Sequence, residues 1–97
     1  MSFIQIIEYE TDRPDEIAAV GEQMEASGAT MRFTSLRMTK DRDKPNSYVT
    51  IVEFPSYEAA MENSNAPETQ ALAAKMAELS TGPARFHNLD VTRSLPQ

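Results

Sequence analysis

Histidine is the one side-chain type whose ordinary pKa suits proton transfer near neutrality, and this 97-residue sequence has a single one, His87. It lies in a run, Arg85 to Leu95, that alternates as a strand does. His87, Leu89 and Val91 fall on one face of that run and Phe86, Asn88 and Asp90 on the other. His87 is therefore a candidate catalytic acid–base, with a hydrogen-bonded structural role as the alternative. Asp90, three residues on, points to the opposite face, so the two form no simple dyad on one strand. Asn88 and Asp90 share a face, as suits a polar interface patch or a solvated edge. Glu8 and Glu53 form a carboxylate pair only if their strands are neighbours and they face alike, which spacing along the chain leaves open.

Composition removes much other chemistry. The sequence has no cysteine, which excludes disulfides, thiolate catalysis and cysteine-based zinc sites, and a lone histidine excludes a His-rich metal site. Fifteen acidic residues against nine Lys and Arg give a net charge of −6, the wrong sign for a surface that neutralises phosphates. One local basic cluster stands out: Arg32, Arg37, Lys40, Arg42 and Lys44. Asp41 and Asp43 interleave its last members, so it reads as a solvated hairpin, with a site for an anionic ligand as the alternative. The first residues carry no basic region and reach Glu8 quickly, unlike a signal peptide, and no apolar run approaches the ~20 residues of a membrane span. Cytoplasmic is the default compartment, and no metal or cofactor is expected.

The elements that must position these residues follow from periodicity. Phe3 to Glu10 reads as a strand, with Phe3, Gln5, Ile7 and Tyr9 on one face and Ile4, Ile6, Glu8 and Glu10 on the other. Asp12-Arg13-Pro14-Asp15-Glu16 starts a helix, since proline costs no hydrogen bond in the first turn and acids suit the positive end of the dipole. Ile17, Val20, Gly21 and Met24 continue it at helical spacing, and Gly28 closes it. Thr30 to Thr39 reads as a second strand, Lys40 to Ser47 as a hairpin loop containing Pro45-Asn46, and Ser47 to Phe54 as a third strand rich in β-branched and aromatic residues. Ser56 caps a short helix to about Glu62. Asn63 to Glu68 interrupts it, and a further helix with Leu72, Met76 and Leu79 inward ends at Gly82-Pro83. The run from Arg85 to Leu95 is the last strand.

The order β-α-β-β-α-β, with its second helix broken, predicts one α+β domain over residues 1–97. The expected topology is ferredoxin-like: a four-stranded antiparallel sheet with helices on one face. Whichever face the helices cover, the first, third and last strands keep Ile, Val or aromatic side chains on the other. At 97 residues only about two-thirds of the unfolded surface can be buried. An uncovered apolar sheet face on so small a domain predicts a homodimer with the two sheets packed face to face.

This pattern resembles the dimeric α/β-barrel superfamily, and within it the antibiotic-biosynthesis-monooxygenase-like proteins. The stretch Tyr48-Val49-Thr50-Ile51-Val52-Glu53-Phe54-Pro55-Ser56-Tyr57-Glu58-Ala59-Ala60-Met61 is similar to that family's third strand, an aromatic end followed by a capped helix. Members include cofactor-independent monooxygenases, haem-degrading enzymes and isomerases, so the fold alone names no chemistry. The haem-degrading branch carries an Asn, a Trp and a His ligand where this chain has Gln5, Phe54 and Leu72, and Leu72 cannot ligate iron. Haem held through His87 is the weaker variant of that idea. The chain lacks Trp altogether. The resemblance implies a pocket between sheet and helices with Gln5, Tyr48 and Phe54 on its face, suited to a small hydrophobic or aromatic ligand. Phe54 and Tyr48 as plain core residues are the alternative. Tyr9 and Arg37 would stand at its rim or snorkel to solvent. Asn65, with Asn63, flanks the helix break and either lines the pocket or caps the next segment. A cofactor-independent oxygenase or isomerase is the implied activity; the alternative is a non-catalytic dimeric interaction module.

Overall fold

The computed structural model describes residues 2–26 and 32–96. Strand β1 (Phe3–Glu10) leads into helix α1 (Pro14–Ala26), strand β2 (Ser35–Lys40), strand β3 (Ser47–Phe54), helices α2 (Tyr57–Asn65) and α3 (Pro67–Leu79), and strand β4 (Arg85–Asp90). The sheet is antiparallel in the order β2-β3-β1-β4. This is the ferredoxin-like arrangement, with the most apolar strands central and the more polar β2 and β4 at the edges.

Register assigns the faces. Phe3 pairs with Phe54, Tyr9 with Tyr48 and Leu36 with Val52, so these side chains share one side of the sheet. The helices cover that side. Ala60 of α2 packs with buried Phe3, Val52 and Phe54, while Ile17 and Val20 of α1 and Leu79 of α3 pack around Tyr9. The other side carries Ile4, Ile6, Val49, Ile51 and Leu89, none of them fully buried. The surplus of apolar strand positions expected from the sequence is therefore real, and none of the described helices covers it.

Several boundaries differ from expectation. The second strand begins at Ser35 rather than Thr30, although the Thr34 amide still bonds to the Glu53 carbonyl at 2.8 Å. Gly28, Thr30 and Met31 lie outside the described residues. The last strand stops at Asp90 instead of Leu95, because its only neighbour is β1; the Val91 amide takes the final bond, to the Ser2 carbonyl. Helix α2 runs past Glu62 to Asn65, and the break falls at Ala66. A residue before proline is driven to extended backbone, and Ala66, preceding Pro67, has ψ 137°. Neither Asn63 nor Asn65 caps the next helix through its side chain, since the capping residue is Ala66. Ser56 does cap α2, accepting a bond from the Ala59 amide at 3.1 Å.

Candidate cavity under the first helix

Helices α1 and α3 pack over the centre of the sheet and leave edge strand β2 largely uncovered, with Arg37 to Lys40 exposed. The gap between α1 and that edge is a cavity of about 230 Å³. Tyr9 and Tyr48 form its floor, stacked with ring centroids 5.7 Å apart and planes 19° off parallel. Pro14, Ile17 and Ala18 of α1 form one wall, and Met38 to Lys40 the other. The lining is apolar apart from the tyrosine and Thr11 hydroxyls and Lys40, the sole charged side chain along it among the described residues. Burial pushes the Tyr9 phenol's pKa up, against a hydrogen bond with Thr50.

Thr11 fixes the inner end. It is fully buried, and its hydroxyl donates to the Leu79 carbonyl at 2.5 Å while accepting from the Arg13 amide at 3.0 Å. Its own amide bonds to the Asn46 carbonyl at 3.0 Å. One residue thus ties the end of β1 to the start of α1 and the end of α3 through its side chain, and to the β2–β3 loop through its amide. Asn46 holds a left-handed conformation, φ 61°, which turns that loop back toward Thr11. Thr11 is missing from the candidates drawn from sequence. A Thr three residues before a Pro-led helix is a local capping signal, but its bond to Leu79 spans 68 positions and leaves no local trace.

The expected ligand-binding residues separate. Tyr9 and Tyr48 line the cavity. Phe54 shares their side of the sheet but lies six residues along β3 from Tyr48, about 20 Å away, and is 1% exposed in the core with Phe3, Val52 and Ala60. Gln5 sits between, half-buried, donating to the Asn88 side chain at 3.2 Å. Asn65 is exposed at the end of α2, and Arg37 faces the opposite side of the sheet, paired with Ile51. Leu72 packs against the cluster around Tyr9.

His87 stands on the uncovered side. Its Nε2 lies 2.6 Å from Glu8 Oε2, and Arg85 donates to the same oxygen at 3.2 Å. The hydrogen bond with His87, then Arg85, holds the Glu8 carboxyl below its ordinary range despite some desolvation. Glu8 pairs with Arg85 in the β1–β4 register and Ile6 with His87, so Glu8 and His87 are diagonal neighbours. Asp90 faces away, as expected, paired with Phe3. Glu53 shares Glu8's side, but pairs with Ile4, so the two carboxylates are four residues apart along the strands and form no pair. With Ile6, Val49 and Leu89, the Glu8–His87 pair lines an open depression of about 400 Å³. The sheet itself lies between this depression and the cavity. Among the described residues no helix is long and apolar enough to cross a membrane.

No protein-family profile matches the sequence, and no curated protein matches it. Solved structures do. SnoaB, a cofactor-independent oxygenase from Streptomyces nogalater, is similar with a TM-score of 0.81 at 21% identity, over 99% of this chain and 98% of that one. A Caulobacter crescentus protein assigned as an antibiotic biosynthesis monooxygenase gives 0.81 at 14% identity, over 95% and 91%. Rv0793 from Mycobacterium tuberculosis gives 0.78 at 17%, over 98% and 99%. At such identities the likeness is one of backbone, and it extends from end to end: the chain has the fold of these antibiotic-biosynthesis-monooxygenase structures.

Proposed function

We propose that this protein binds a small aromatic molecule in the cavity under α1, as a homodimer joined through the uncovered sheet face. The observation that carries the reading is the cavity floored by the Tyr9–Tyr48 stack. Tyr9 is buried behind Tyr48 in the stack, so the partly exposed Tyr48 ring offers the cavity one aromatic face beside the apolar side chains of α1, which is the usual chemistry of a small-ligand site. At about 230 Å³ the cavity is smaller than the ~300–1,000 Å³ of drug-sized sites, so it suits one or two rings rather than a larger polycycle.

The reaction such a site serves is oxygenation without a cofactor, the activity named for SnoaB. An activated ring methylene loses a proton, its carbanion passes electrons to O₂, and the resulting hydroperoxide loses water to leave a carbonyl. One O₂ yields one carbonyl oxygen and one water. The protein's tasks are to hold the ring, admit O₂ and exclude water. No histidine or carboxylate lines the cavity, and His87 is across the sheet. The proton therefore has to leave on the substrate's own acidity, which restricts substrates to those that form a stabilised anion.

The test is calorimetric titration with one- and two-ring hydroxyarenes, followed by O₂ uptake with any that bind. Tyr48→Ala removes the partly exposed ring of the stack and is expected to weaken binding about tenfold. Failure of every such compound to bind or to raise the melting temperature would sink the reading. Binding without O₂ uptake would remove the oxygenase half and leave a carrier or isomerase.

A further inference from the structure

We propose that the ligand of this cavity is a monoanion whose negative oxygen is held by Lys40. The inference rests on the aromatic-binding reading above and names the ligand's charge. Five cations cluster between Arg32 and Lys44, and the structure disperses them. Arg32 pairs with Glu68 at 3.6 Å and Lys44 with Glu10 at 3.7 Å, while Arg37 is turned to the other side of the sheet. Arg42 lies in the loop beyond β2 and does not line the cavity. Lys40 alone both lines the cavity and, among the described residues, has no carboxylate within ion-pair distance. In the register it stands opposite Tyr48, on the same side of the sheet, at the open β2 edge of the cavity.

Two physical arguments favour an anion. A ring stacked against Tyr48 on the β2 side places a substituent at that edge, within reach of the flexible four-carbon stem of Lys40, which pairs with Tyr48 in the register. The rest of the protein selects the other way: with a net charge of −6 it repels anions in general, so a lone unpaired cation on an apolar cavity is a local exception. The same contact answers the need left by a cavity without a base. A cation beside the ring oxygen stabilises a phenolate or enolate, and it lowers the cost of the substrate's own ionisation.

The experiment compares naphthoate with naphthamide, which share ring and shape and differ in charge, by calorimetric titration at low ionic strength against wild type, Lys40→Met and Lys40→Arg. Wild type is expected to favour naphthoate by about fivefold, the size of a partly exposed ion pair. Lys40→Met should erase that preference while still binding naphthamide; Lys40→Arg should keep it. The exposed position of Lys40 makes misfolding of either variant an easy matter to check by circular dichroism. Equal binding of both probes by wild type, or a preference that survives Lys40→Met, overturns the assignment and leaves the aromatic-binding reading standing. If neither probe binds wild type while a hydroxyarene does, the charge assignment alone falls; if no hydroxyarene binds either, the aromatic-binding reading falls with it.

Discussion

Replacing Thr11 by valine tests the way this fold is tied together. Valine has the same shape, so no cavity opens and no packing is lost; only the hydroxyl goes. That hydroxyl is wholly buried and serves two backbone groups, the Leu79 carbonyl at 2.5 Å and the Arg13 amide at 3.0 Å. The Arg13 amide is at the exposed start of α1 and can turn to water. The Leu79 carbonyl belongs to a buried residue at the end of α3, and an unsatisfied buried acceptor costs about 1–3 kcal/mol. We therefore expect Thr11→Val to destabilise by about 2 kcal/mol, which for a domain of this size lowers the melting temperature by about 10 °C. Urea and thermal unfolding followed by circular dichroism measure it, at fixed protein concentration because a dimer's stability depends on concentration. Thr34→Val is the matched control: its hydroxyl also bonds a carbonyl, Glu53 at 3.2 Å, but is exposed, and should cost less than about 0.5 kcal/mol. If Thr11→Val unfolds with the control, the staple carries no weight and the description of the inner end of the cavity is wrong.

Two further outcomes follow from the uncovered sheet face. Light scattering after size exclusion should report a dimer for wild type and a folded monomer for Ile51→Lys, whose charge enters the middle of the apolar face opposite Ile6; a wild-type monomer at micromolar concentration refutes the interface. Glu8 carries a pH signature. Its folded carboxyl titrates below the ordinary value of 4.5, so the stabilisation is present above that value and is lost as pH falls through the lower one. Glu8→Gln should flatten this part of the acid limb of the stability curve, and an unchanged limb would show that the contacts with His87 and Arg85 contribute nothing.

Phe54 shows where the reading of single positions fails. An aromatic residue at the end of the third strand looks equally suited to a pocket and to a core. Its neighbours decide: with Ala60 and Phe3 against it, Phe54→Ala costs about 3–5 kcal/mol of stability and says little about ligands. Gln5 and Asn65 lie outside the cavity lining for a similar reason, since the packing of α1 and α3 sets the open space elsewhere. Lys40 and the other cations are indistinguishable in sequence, and only their faces and partners single one out.

Side-chain alternation along a strand and helical spacing are local properties of the backbone, so the order of elements, the two faces of each strand and the excess of apolar positions were all readable from residue types alone. The opposition of His87 and Asp90 was readable for the same reason. Register and the packing of distant elements are not local. They decided that His87 meets Glu8, that Tyr9 stacks on Tyr48, that Thr11 reaches Leu79, and that the gap opens beside Lys40 rather than beside Phe54. Each of these contacts joins residues far apart in the chain, and their geometry depends on how strands pair and helices fill the space above them.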